Sequence, residues 1–187
     1  MWTILLFTFW LSCRAPRCVV QAVRTMSTKP LHPGSNLNLA TWNCGGLSFT
    51  QKELCRELNY DILSITETHN AGKLKAKKNF LVSEPAPKND PYSGVGLLLS
   101  DRLSKCVTFK GNFGSRIVYA RINARPCNLF VIGVYMPHAY RTESPFFNDT
   151  LDHLDKVLQK VTAHDCTIIL GDLNCKLGRN VAGCTGT

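Results

Sequence analysis

Short apolar runs broken by polar, glycine-rich and proline-rich stretches dominate the chain from Leu37 onward. Leu39-Ala40-Thr41-Trp42-Asn43 reads as a strand ending on an amide, and Gly45-Gly46 breaks it. Thr50 to Asn59 reads as a helix capped by Ser48 or Thr50, with Leu54 and Leu58 one turn apart on one face. Asp61 to Glu67 is a second strand, ending on a carboxylate. Residues 70–92 form a polar loop with one short strand at Phe80-Leu81-Val82. Gly94 to Ser100 is a strand whose glycines predict close approach by another backbone. A short strand over Cys106–Phe109 follows, then a hairpin of Ile117–Asn123 and Asn128–Val134 around Ala124-Arg125-Pro126. Ser144 and Pro145 open a long helix with an apolar stripe at Phe147, Leu151, Leu154, Leu158 and Val161.

The last clear element is Thr167-Ile168-Ile169-Leu170, a buried strand running through Gly171 into Asp172-Leu173-Asn174. If the chain stays extended, the period of two puts Asp172 and Asn174 on one face. Many strands with two clear helices predict layered α and β structure with hairpins, an α/β (α+β) class, in one domain over 37–187. No internal repeat is present.

Composition changes this picture little. Of 187 residues, 44% are hydrophobic and 19% charged, as in ordinary globular proteins. The net charge of +9 is uneven. Arg14, Arg17, Arg24 and Lys29 stand with no acid in the first 29 residues, and the remaining 18 basic and 13 acidic side chains leave +5. That excess suits a polyanion such as nucleic acid, and equally a solvated surface. Nine cysteines without any C-x-x-C point to reduced thiols, an intracellular compartment with a nuclear one included, and no zinc site. Residues 2–11 are apolar but too short to span a bilayer. They fit a signal-peptide core with Val20-Gln21-Ala22 as cleavage site, or an acid-free presequence; the favoured expectation is a leader, 1–36, outside the fold, with Met26 as an alternative start.

Candidate chemistry gathers at strand ends. Four apolar strands finish on Asn43, Glu67, Tyr135 and Asp172, with Asn174 just behind the last. Singly, each has a bland reading as a turn, surface or packing residue. Together they supply two carboxylates, two amides and a phenol, with no histidine or cysteine. Oxygen donors favour a hard cation, magnesium or manganese, which keeps waters and takes substrate phosphate. The inventory points to phosphoester chemistry.

Leu39-Ala40-Thr41-Trp42-Asn43, Ile65-Thr66-Glu67-Thr68, Ser93-Gly94-Val95-Gly96, Val134-Tyr135-Met136-Pro137-His138 and Leu170-Gly171-Asp172-Leu173-Asn174 together resemble the ordered motifs of the endonuclease/exonuclease/phosphatase superfamily. Within it the chain is most similar to endonuclease domains of non-LTR retrotransposons and the craniofacial-development-protein-2-like group. The resemblance implies a four-layer α/β/β/α sandwich of the DNase I type that cuts phosphodiesters with Mg2+ or Mn2+. It implies Glu67 as metal ligand, Asn43 as support for the metal and its waters, and Tyr135 on the scissile phosphate. Asp172 would orient or deprotonate water, and Asn174 would hold phosphate oxygens. DNA is the expected partner before RNA. Arg116 and the lysines at 73, 75, 77 and 78 are candidates for its backbone; His138 fits the family's usual residue after the Tyr-x-Pro step, with a loop histidine as the bland alternative.

The family's series continues with a substrate-binding Asn or Trp segment, a metal-associated Asp and a final Ser-Asp-His. None has a counterpart here, and His153 and His164 stand in the wrong context. The expectation is therefore an incomplete second sheet with an open edge, and weak or absent hydrolysis. The competing readings are a catalytically dead, basic nucleic-acid-binding chain and a phosphatase for small phosphoesters.

Overall fold

In the computed structural model, residues 5–6, 23–24, 36–47, 59–69, 79–138 and 145–174 are described. They form strands β1 (Leu5–Leu6), β2 (Val23–Arg24), β3 (Asn38–Asn43), β4 (Ile62–Thr66), β5 (Phe80–Val82) and β6 (Val95–Leu99), then β7 (Val107–Phe113), β8 (Ile117–Ile122), β9 (Asn128–Tyr135) and β10 (Asp165–Asp172). Two helices accompany them, α1 (Asp101–Ser104) and α2 (Pro145–Leu158). Residues 50–58 of the helix expected over Thr50–Asn59, the lysines at 73–78 and the proposed cleavage site lie outside the described residues, and Asn59 itself is not helical.

The strands form two five-stranded sheets, ordered β2-β3-β4-β6-β5 and β1-β10-β9-β8-β7. Each sheet has one long parallel pair. β3 lies beside β4 with Asn43 opposite Thr66, and β9 beside β10 with Tyr135 opposite Asp172. The expected hairpin is present as antiparallel β8 and β9. β7 runs four residues beyond its expected end at Phe109, because β8 pairs with it as far as Phe113. Two short pairs reach back into the stretch read as a leader. Leu5-Leu6 runs parallel to Ile168-Ile169, and Val23-Arg24 antiparallel to Asn38-Leu39.

Alternation along the strands divides the core. Ile62, Val95, Leu97, Leu99, Val118, Ala120, Ile122, Leu129 and Val131 fill the space between the sheets. The opposite phase of β8 to β10, including Tyr119, Phe130, Ile132 and Val134, packs under α2. Ala40, Trp42, Leu63 and Ile65 form a buried cluster on the outer face of the first sheet. These are the layers of an α/β sandwich.

The helix α2 departs from its predicted stripe. Leu151 is 43% exposed, while Val157 is fully buried and Thr150 nearly so. The face against the sheet runs through Phe147, Thr150, Leu154, Val157 and Leu158, one step around from Leu151. At Gly96 the nearest neighbour is the Phe80 ring, 2.6 Å from where a Cβ would sit, with the Leu81 carbonyl oxygen at 3.6 Å, and at Gly94 the His69 backbone nitrogen is 3.4 Å away.

Candidate active site

The two parallel pairs end at the same place. In β3 the phase of Leu39 faces the other sheet, so Asn43, four residues on, faces it too. Tyr135 shares the phase of Leu129 and Val131, and Asp172 that of Ile168 and Leu170. Sheet packing thus brings together residues 129 positions apart. The Asn43 Nδ2 group donates to Glu67 Oε1 at 2.9 Å and to Asp172 Oδ2 at 3.1 Å. Tyr135 donates its hydroxyl to the same Glu67 oxygen at 2.9 Å. One amide therefore links two carboxylates on different sheets, and one phenol crosses back. Burial and then the charge of Glu67 push the Tyr135 phenol well above the ordinary tyrosine range, so it stays a donor at any physiological pH.

Asn174 joins this group differently from expectation. Its backbone N–H donates to Asp172 Oδ1 at 2.9 Å, and its φ is +46°. The chain turns immediately after Asp172, so alternation along an extended strand does not place Asn174. The local carboxylate–amide turn places it. Its Nδ2 donates to the Met136 carbonyl at 2.7 Å, leaving one amide hydrogen uncommitted by that bond. Gly171 makes the approach possible: a Cβ there would lie 1.9 Å from the Val134 carbonyl oxygen.

Backbone strain concentrates here. Among the described residues, the non-glycine residues at positive φ are Glu67 (+54°), His69 (+41°) and Asn174 (+46°). Such residues persist only where their surroundings hold them, and they cluster at functional sites. Glu67 is held by the N–H of Gly46, which donates to its carbonyl at 2.7 Å. Buried side-chain atoms without a hydrogen-bond partner gather here too. Among the described residues they are Thr66 Oγ1, Thr68 Oγ1, His69 Nε2 and Arg116 Nε.

Two residues were not among the sequence candidates. His69 has its Nε2 3.9 Å from Glu67 Oε2, and its ring meets the Tyr92 ring edge-on at 5.3 Å. Asp90 pairs with Arg116 at 2.6 Å. The only sequence signal for either was adjacency to motifs already singled out. Arg116, read from sequence as a candidate for the nucleic-acid backbone, is only 11% exposed and its charge faces Asp90. His138 is exposed at the end of the Tyr135 strand.

Glu67, Asp172 and Asn43 offer two carboxylates and an amide. Among the described residues no group of three or more His, Cys, Asp or Glu side chains gathers to hold a metal. The oxygen set nevertheless fits a hard cation that completes its shell with water and phosphate. Asn43 Nδ2 donates to both carboxylates, and its Oδ1 accepts from the Gly45 N–H at 3.3 Å.

Two sheets meet at their polar strand ends, with acids and amides gathered there, in an α/β sandwich. The chain belongs to the Endonuclease/Exonuclease/phosphatase family, matching it over residues 40–181. It is 29% identical over 154 residues to craniofacial development protein 2 of Bos taurus and to that of Tragulus javanicus. The alignments cover 80% of this chain but 25% and 26% of those proteins, so it spans about a quarter of their length. In structure it resembles AP endonuclease LMAP from Leishmania major, with TM-score 0.54, 17% identity, and 84% of this chain and 60% of that one covered. The catalytic domain of Xenopus laevis APE2 gives 0.50, 19%, 73% and 58%. D. rerio TDP2 complexed with a single-strand DNA product gives 0.50, 16%, 74% and 60%. These likenesses establish the fold. No helix among the described residues is long and apolar enough to cross a membrane.

Proposed function

We propose that this chain is a divalent-cation-dependent phosphodiesterase acting on DNA. The observation that carries the reading is the Asn43 amide hydrogen-bonded to Glu67 and Asp172 at once, with Tyr135 on the same Glu67 oxygen. Magnesium or manganese bound at Glu67, with Asn43 as support, would supply Lewis-acid polarisation of the phosphoester. Asp172 is the base that takes a proton from the attacking water. Both its oxygens accept hydrogen bonds, from Asn43 and from the Asn174 N–H, and these fix its orientation. With substrate bound, Tyr135 redirects its single hydrogen from Glu67 to a phosphate oxygen, a role that needs a phenol kept protonated. The second hydrogen of the Asn174 amide serves the same phosphate. In-line attack then leaves a phosphomonoester and a free hydroxyl.

Membership of the family and the basic balance support a nucleic-acid substrate, and the motif series supports kinship with retrotransposon endonucleases. Cys106, Cys127 and Cys166 are free thiols, which supports an intracellular compartment. The test is nicking of supercoiled plasmid with magnesium and with chelator, for the wild type, Glu67→Ala and Asp172→Ala. Magnesium-dependent nicking lost in both variants is the expected result. Nicking that survives both substitutions sinks the reading. Salt-dependent DNA binding without cleavage, unchanged by the substitutions, would replace it with a binding-only function.

A further inference from the structure

Arg116 and Asp90 form a nearly buried ion pair, 11% and 12% exposed, that the chemistry above does not use. Burying a guanidinium is expensive unless its contacts repay it. Beyond Asp90, the hydrogen-bond and ring contacts of Arg116 among the described residues go to Tyr135. Its Nη1 donates to the Tyr135 carbonyl at 3.1 Å, its guanidinium carbon stands 4.8 Å from the Tyr135 ring centroid, and its own carbonyl accepts the Tyr135 N–H at 3.0 Å. Asp90 is itself fixed. The Ser93 N–H and hydroxyl both donate to its carbonyl, and the Ser93 hydroxyl lies 2.8 Å from that of Ser115. The other close Asp–Arg pairs among the described residues, Asp61–Arg102 and Asp165–Arg121, touch none of Asn43, Glu67, Tyr135 or Asp172.

We infer that Arg116, braced by Asp90, is a positioning residue for Tyr135, holding its ring and backbone so that the phenol reaches the reacting phosphate. The inference rests on the phosphodiesterase reading for its catalytic consequence, and on geometry alone for the bracing. A cation over the aromatic face restricts the Tyr135 ring, while one N–H of the guanidinium fork holds the Tyr135 carbonyl and the other end of the fork holds Asp90. Lysine keeps the charge but loses the fork and the planar face, so Arg116→Lys separates bracing from charge.

The experiment has two arms, each on the full chain. In the first, tyrosine labelled with carbon-13 at Cζ is observed by NMR, the Tyr135 signal being identified by its loss in Tyr135→Phe. Arg116→Lys is expected to move the Tyr135 signal and leave the other tyrosines in place. In the second, Arg116→Lys lowers kcat for DNA nicking on the order of tenfold to a hundredfold with KM little changed. Made in the Tyr135→Phe background, it adds no comparable loss. Asp90→Asn, which leaves Arg116 in place but removes its brace, serves as a second variant should Arg116→Lys fail to fold. An unmoved Tyr135 signal overturns the inference. So does a kcat loss that persists undiminished in the Tyr135→Phe background, the mark of a purely structural role. If the wild type cleaves nothing, the phosphodiesterase reading falls while the NMR arm still decides the bracing.

Discussion

The two ends of the strand pairs treat their acids in opposite ways. At the starts of β4 and β10, Asp61 and Asp165 are fully satisfied. Asp61 accepts from Arg102 Nε and Nη2, each at 2.7 Å, from the Asn38 N–H at 3.0 Å and from Ser100. Asp165 accepts from Arg121 and from the N–H and hydroxyl of Thr162. At the other end of the same strands, Glu67 and Asp172 pair with no Lys or Arg among the described residues, and share one amide. The starts are built for stability. The ends hold carboxylates without a Lys or Arg partner among the described residues, positive-φ residues and orphaned polar atoms, an arrangement that costs stability and suits a ligand.

That contrast can be broken by substitution. The largest expected effect is on activity at the strand ends. Asp172→Ala and Glu67→Ala each lower nicking by about 10³-fold, the scale of losing a general base or its equivalent, while the thermal midpoint hardly falls. A collapse of stability in both would put these acids in the structural class. Next is Asp165→Asn at a strand start. The Asp165 side chain is fully buried, and its loss strands Arg121, so unfolding in urea should show about 3 kcal/mol of destabilisation with nicking per folded molecule intact.

The strand starts also govern acid sensitivity. Burial pushes the Asp61 carboxyl up, but Arg102 and the Asn38 N–H outweigh it and hold it below the ordinary carboxylate range; Arg121 and Thr162 do the same for Asp165. A group depressed in the folded state is protonated more readily when unfolded. Its stabilisation is present above the ordinary carboxylate pKa and is lost as pH falls through the lower folded value. Stability should therefore drop below about pH 4, and Asp165→Asn should flatten that limb in a pH series of melting curves.

Smaller effects complete the set. Arg102 is half exposed, so Arg102→Met costs only about 1 kcal/mol or less after solvent screening, measured by urea unfolding. His69→Asn suits the φ of +41° and removes an orphaned ring nitrogen, so it should raise stability by roughly 0.5 kcal/mol in the same assay.

The sequence by itself determined most of the strands. Runs such as Ile62-Leu63-Ser64-Ile65 and Leu129-Phe130-Val131-Ile132 are too apolar to lie anywhere but in a core. It also marked Asn43, Glu67, Tyr135, Asp172 and Asn174 as polar residues at the ends of such runs. Local pattern failed where a neighbour decides. The buried face of α2 was set by the sheet beneath it, which took Val157 and left Leu151 outside. β7 was extended by its partner strand, and Arg116 was claimed by Asp90, 26 positions away. Whether four strand ends make one site depends on two sheets packing with their parallel pairs in line. That is a matter of long-range burial, and tertiary structure alone placed one amide nitrogen between Glu67 and Asp172.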